Sequence, residues 1–330
     1  MSNAPQTARG LTSHVGALFA GVFSALILVL ALNYSGTPLL FLAYATSLPI
    51  FMAGLGAGAL ASLLATLAGS TSLFITVHAN IALIYAFLYG IPAVGLSALA
   101  LRYRIGNDGK TYWCPIGYLI AALPFYAAIL FAALSGLTLM QGNIPVDMTQ
   151  EALRAVVSQM EEAAKTSKTQ IDLTLIKNSI ESTAFFMPSL IGTAWVCITS
   201  LCLLAAQRIL KKRKWNLRDS FELREMRMPA WLVYITLGLA IATALLRDPY
   251  LYYAYNMTLL FSLPYLLTGI AIAHALTSLM NKASVLALIV FYIALTIMPV
   301  FMLLVILLGI ADQWLDFRHR WAGKPSHGTR

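Results

Sequence analysis

Ionisable side chains set inside long apolar runs are where this sequence could do chemistry, and His274 in "GIAIAHALTSL" lies well within one. Such a residue in lipid is a candidate for function, although a neutral imidazole hydrogen-bonded to a neighbouring helix would meet the same cost. A second grouping is "TVHANI", where His78 and Asn80 occupy a short turn and Tyr85 and Tyr89 follow on one helical face. His78, Asn80, Tyr85 and His274 are therefore the residues expected to bind a small molecule; a plain loop with interfacial tyrosines remains the other reading. None of the five histidines has a second metal ligand or a carboxylate at i+3 or i+4, and Asp316 and His319 sit in the polar tail. "GLGAGA" at 54–59 half-matches a dinucleotide-binding fingerprint but has neither the strand nor the aqueous face that motif needs. Cys114, Cys197 and Cys202 are too few and wrongly spaced for a metal site or a disulfide framework. The expectation is a protein that is not an enzyme and takes no cofactor or metal.

The elements that would hold these residues follow from charge spacing. No Asp, Glu, Lys or Arg occurs between Arg9 and Arg102, and further uncharged runs cover 111–146, 182–207, 228–246, 249–281 and 283–311. Such runs are long enough for transmembrane helices of about 20 residues, and weak period-2 alternation rules against a barrel. The fold class expected is all-α, a polytopic membrane protein with eight or nine spans near 15–34, 39–55, 57–77, 81–101, 117–140, 185–210, 231–246, 257–279 and 284–310. Eight of the 22 basic residues fall between Arg208 and Arg227, between two apolar runs. Together with Arg102, Arg104 and Lys110 they place that loop, and the N-terminus, on the cytoplasmic side of a bacterial inner membrane. The net charge of +9 therefore points to anionic headgroups rather than nucleic acid.

Four regions follow: 1–104, a four-helix membrane region; 105–210, two spans flanking an extracytoplasmic hairpin at 141–184; 211–229, the basic loop; and 230–330, the remaining spans and an amphipathic tail. In the hairpin, Asp147 with Gln150 reads as a capping box ahead of a stripe of Leu153, Val156, Val157, Met160 and Ala164, and Asp172 as the cap of a second helix. The tyrosine-rich "RDPYLYYAYN" at 247–256 reads as re-entrant or interfacial. Nine crossings would carry the tail, with Arg318 and Arg320, outward, against the positive-inside bias, and the side of the tail stays open.

A single helix over 39–77 would be about 58 Å long, nearly twice the roughly 30 Å hydrocarbon core, so the chain must turn, most easily at Gly54, Gly56 and Gly58. Beyond the turn, Gly58, Ser62, Thr66 and Ser70 form one small-residue column and Ala57, Ala61, Ala65 and Gly69 its neighbour, a surface on which another helix can dock closely. That helix could belong to this chain or to another membrane subunit.

The order "LPIFMAGLGAGALASLLATLAGS" then "AFLYGIPAVGLSALALRYR" resembles the first half of the substrate-binding (S) subunits of energy-coupling-factor vitamin transporters, including their Gly-x-Pro-x-x-Gly, here Gly90 to Gly95. The resemblance implies a stripe on helix one, Ala17, Gly21 and Ala25, that docks on a partner membrane subunit. Over the whole chain, "GIADQWLDFR" at 309–318 is similar to the closing signature of the YybS-like bacterial membrane proteins, so Asp312, Trp314, Asp316 and Arg318 form a tail motif. Two functions are expected from this. The first is a small-molecule-binding, transporter-type subunit. The alternative is a scaffold that uses its small-residue faces, Gly54, Gly58, Ser62 and Thr66 among them, to hold another membrane protein without any ligand.

Overall fold

The computed structural model describes residues 11–33, 43–142, 144–167, 183–219, 226–277 and 284–317. These form two compact units, one built from 1–123, 196–229 and 320–330 and the other from 124–195 and 230–319. The described chain is helical apart from one short hairpin, and six of its helices are long and apolar enough to cross a membrane, seven if a bent pair counts as one span. The protein is thus an all-α membrane protein.

In the first unit, α1 (Leu11–Asn33) is followed by α2 (Ser47–Ala57), α3 (Ala59–Thr76), α4 (Ala79–Tyr85), a π-turn (Ala86–Gly90) and α5 (Ile91–Ala100). The corner between α2 and α3 is Gly58 alone, at φ 107° and ψ 162°, a backbone region that L side chains rarely adopt. Gly54 stays inside α2, and its Cα faces the Ser97 hydroxyl and the Ser62 side chain with no room for a Cβ. The π-turn precedes Pro92, which has no N–H to return to the Leu88 carbonyl, so the ladder widens by one residue. Gly90, in that widened turn, packs directly against the Thr66 methyl.

Both small-residue columns of α3 are filled from within the unit. Gly21 of α1 lies so close to Ala65 that a Cβ would overlap the Ala65 carbonyl oxygen, and Gly69 in turn packs on the Gly21 carbonyl. Ala17 and Ala25 are 2% exposed. Ser62 and Thr66, in the other column, meet Gly54 and Gly90.

A β-hairpin joins α5 to α6 (Ile116–Met140): β1 (Tyr103–Ile105) pairs antiparallel with β2 (Thr111–Trp113), Tyr103 opposite Trp113. α7 (Pro145–Ser167) starts at Pro145, where the missing N–H costs nothing, so Asp147 falls within the first helical turn, favourable for the helix dipole, rather than at the cap position of a capping box. Leu153 and Val157 of its apolar stripe are buried. Asp172 lies outside the described residues.

The second unit contains most of α6, α7, the start of α8 (Met187–Arg213), α9 (Ala230–Leu245), α10 (Tyr250–Thr277), α11 (Ser284–Ile297) and α12 (Pro299–Leu315). The tyrosine-rich stretch is not re-entrant: 250–256 is continuous with the 28-residue α10. Helix is favoured there because the tyrosines find aromatic partners, Phe131 and Phe185 against Tyr252 and Phe186 against Tyr255, with ring centroids 5.9, 5.4 and 4.9 Å apart. α11 and α12 bend by 113° at Met298–Pro299. α10 and α12 interlock through reciprocal glycines, Gly269 beneath the Val305 carbonyl and Gly309 beneath the Tyr265 carbonyl, which makes the two helices antiparallel.

Candidate functional site

His78 and Asn80 adjoin at the turn into α4, where His78 has the extended backbone of an N-cap and its Nδ1 accepts the Asn80 N–H at 3.3 Å. Both side chains are exposed. Tyr85 turns the other way. It is 0% exposed, and its hydroxyl donates to Ser24 Oγ at 3.0 Å while Ser24 donates to the Thr46 carbonyl. The space for the phenol exists because residue 69 is glycine: a Cβ there would overlap the Tyr85 hydroxyl. Tyr85 therefore joins helices inside the first unit and does not share the rim with His78 and Asn80. His274 belongs to the second unit, where its Nε2 lies 2.8 Å from the Tyr292 hydroxyl. Within the first unit the structure brings His78 together with Asn80 and turns Tyr85 away from them.

The interior of the first unit holds a second polar set. Ser62 and Thr66 donate to the carbonyls of Ala59 and Ser62, at 2.8 and 2.9 Å, the usual way a helix absorbs a hydroxyl. Thr46 Oγ1, Ser70 Oγ and Ser97 Oγ are buried and have no partner among the described residues. A hydroxyl sealed in an apolar interior without a bond costs about 1–3 kcal/mol, so these three groups are unsatisfied chemistry in the unit, as are Ser200 Oγ and Gln207 Oε1. Ser70 is legible in the small-residue columns; Thr46 and Ser97 carry no sequence signal that separates them from other small residues of a span.

The third feature lies where α5 ends and α6 begins. Arg102, Tyr103, Arg104, Tyr112, Trp113, Cys114, Pro115 and Tyr118 line a cleft of about 420 Å³ on the hairpin. Tyr103 and Trp113 pack with ring centroids 5.4 Å apart, and the Arg104 guanidinium lies 5.7 Å over the Tyr112 ring. Asp108 is occupied by the Tyr112 hydroxyl at 2.8 Å and by Lys110 at 3.9 Å. The Tyr112 hydroxyl and the Lys110 N–H hold its carboxyl below the usual aspartate range. Behind the cleft Arg218 is 7% exposed; its Nη1 donates to the carbonyls of Ala100 at 2.7 Å and Cys114 at 3.2 Å, and its Cζ lies 5.7 Å over the Trp113 ring. Burial pushes its pKa down to about 10, partly opposed by the nearby Cys114 and Asp219. Gln207 ties the same loop to α8 by donating to the Arg218 carbonyl at 3.3 Å. Sequence reading missed the hairpin, though "IGNDGKTY" carries an Asp-Gly turn between strand formers that could have revealed it.

The tail motif is partly a helix terminus. Gly309 permits the α10 contact, and Asp312 is 6% exposed, its Oδ1 accepting the Phe317 N–H at 2.9 Å. Asp316 sits in the left-handed conformation that ends α12, and Trp314 is exposed. Arg318 lies outside the described residues. The three cysteines are free, and among the described residues no three His, Cys, Asp or Glu side chains converge as metal ligands.

Residues 23–313 match the model of a family described as a predicted membrane protein, DUF2232. No curated protein and no solved structure matches the chain.

Proposed function

The chain belongs to the DUF2232 family of predicted membrane proteins, and from that premise we propose that it is a non-enzymatic protein of the bacterial inner membrane, YybS-like, whose first unit binds a small polar molecule among its helices. In this reading the basic loop faces the cytoplasm. The observation that carries this reading is the set of buried hydroxyls at Thr46, Ser70 and Ser97, without partners among the described residues, in the unit that also buries the Tyr85–Ser24 bond. They are donors and acceptors for a ligand with hydrogen-bonding groups, held where water does not compete.

From the resemblance to vitamin-transporter S subunits this reading takes the mode of binding and leaves aside their coupling. In the stripe that would dock a partner subunit, Gly21 packs on Ala65 of α3 and Ala17 and Ala25 are buried within the chain. The same occupancy weighs against a scaffold reading built on the small-residue faces. A scaffold would have to work through the exposed hairpin, with Arg102, Arg104 and Lys110, and the basic loop.

The test is thermal unfolding of the purified protein against a panel of vitamins and polar metabolites. A ligand that raises the melting temperature of the wild type and does so less for Tyr85→Phe supports the proposal. Equal stabilisation of both proteins moves binding elsewhere, and a panel without effect, together with a stable complex recovered in mild detergent, hands the function to the scaffold reading.

A further inference from the structure

The hairpin cleft pairs exposed cations with aromatic rings. Arg102 and Arg104 are exposed cations with no carboxylate partner among the described residues, and Asp108 of the same hairpin is taken by Lys110 and Tyr112. Between and beneath them stand Tyr103, Tyr112, Trp113 and Tyr118, amphipathic rings of the kind that settle at the headgroup level of a bilayer. The location suits them, because β1 begins three residues after α5 and β2 ends three before α6, both apolar stretches that qualify as membrane spans.

We propose that this cleft is a binding site for the phosphate-bearing headgroup of an anionic phospholipid, with Arg102 and Arg104 on the phosphate and the tyrosine and tryptophan rings against the glycerol and upper acyl region. At about 420 Å³ the cleft accommodates a headgroup. Arginine suits the role because its planar fork meets phosphate oxygens two at a time, and the Arg104–Tyr112 stack preorients one fork. Arg218 acts behind the cleft as a positioning residue: its bonds to the Ala100 and Cys114 carbonyls fix the two ends of the hairpin, and its guanidinium backs the Trp113 ring. The site is open to solvent and rimmed by rings, so the bilayer itself supplies the ligand; a soluble phosphate would find the charge but nothing to fill the aromatic floor. The inference is independent of any ligand among the buried hydroxyls.

The experiment measures binding of a fluorescent phosphatidylglycerol to the full-length protein in a neutral detergent, with phosphatidylcholine and inorganic phosphate as competitors. Arg102→Gln/Arg104→Gln is compared with Lys211→Gln/Lys212→Gln, which removes the same charge from the last turn of α8, where the basic loop begins. The expected result is a loss of about thirtyfold in affinity for the hairpin variant, from two surface cations at about 1 kcal/mol each. The loop variant should lose less than about a third as much, and Arg102→Lys/Arg104→Lys should fall between wild type and the glutamine variant. Equal losses in the two glutamine variants would overturn the site in favour of diffuse charge attraction. Displacement of the probe by millimolar inorganic phosphate would overturn the lipid in favour of a soluble anion. A melting curve in detergent alone shows whether the variants keep their fold; a hairpin variant that melts like wild type and still binds normally also overturns the proposal.

Discussion

At the scale of single residues, Arg218 illustrates how a charge can be structural. In the sequence it belongs to a basic run that reads as a solvated cytoplasmic face, yet in the fold it is buried and donates to three carbonyls, of Ala100, Cys114 and Asp219. Ala100 is the last residue of α5, where carbonyls lack helical partners and a cation is favoured. Replacing Arg218 by alanine strands those carbonyls beside a hole. At about 1.5–3 kcal/mol for a charge-assisted bond, the melting temperature in detergent should fall clearly. Arg218→Lys keeps the charge and loses the fork, so it should recover less than half of that loss. If lysine restores the wild-type melting temperature, charge and not geometry is what the position needs. Neither the burial nor the fork was legible beforehand, because the residues Arg218 meets are more than a hundred positions away in sequence at Ala100 and Cys114.

Among the elements, the small-residue patterns were legible and their partners were not. Alternation by four announces a close helix contact, but the same pattern serves a neighbour in the chain or in another protein; only the position of Gly21 beneath the Ala65 carbonyl tells which. Gly58 could be read as a corner because lipid thickness forces one, and the structure puts the positive φ there. The span expected at 39–55 is helical in α2 for 11 residues, about 16 Å, too short to cross a hydrocarbon core of about 30 Å by itself. The hairpin was passed over because it sits between two overwhelming hydrophobic signals. Substituting along α1 separates contact from composition. Gly21→Ala should destabilise the protein by about 1–3 kcal/mol, the range for overpacking against backbone that cannot step aside. Gly16→Ala on the same helix, where nothing lies within 4 Å, should be neutral or mildly stabilising. The comparison is made by melting in one detergent, and equal effects at the two positions would mean that α1 does not rest on α3 through Gly21.

For the whole molecule, the open matter in the sequence was the side of the tail, and the second unit's own contacts decide what to expect. α9 runs antiparallel to α10: Thr236 donates to the Phe261 carbonyl at 3.3 Å, and further along α9 the Thr243 and Thr258 hydroxyls meet at 2.8 Å, earlier in α10. α12 is antiparallel to α10 in turn, through Gly269–Val305 and Gly309–Tyr265. α9 and α12 thus point the same way and α10 the other, so within the second unit Leu315, at the end of α12, lies toward the same end as Leu245, at the end of α9. If the loop that precedes α9 is cytoplasmic, the expected side of the tail is outside, against the positive-inside bias of Arg318 and Arg320. α9 has 16 residues, about 24 Å of helix, and can cross if the bilayer thins slightly or flanking residues reach the interface. A reporter active only outside the cytoplasm, fused after Arg330, should therefore be active, while the same reporter inserted in the basic loop at 211–229 should be silent. An inactive fusion at Arg330 with a silent loop insertion would mean that α9 does not cross and that the positive-inside bias overrides the antiparallel stacking; an active loop insertion would reverse the orientation of the entire chain.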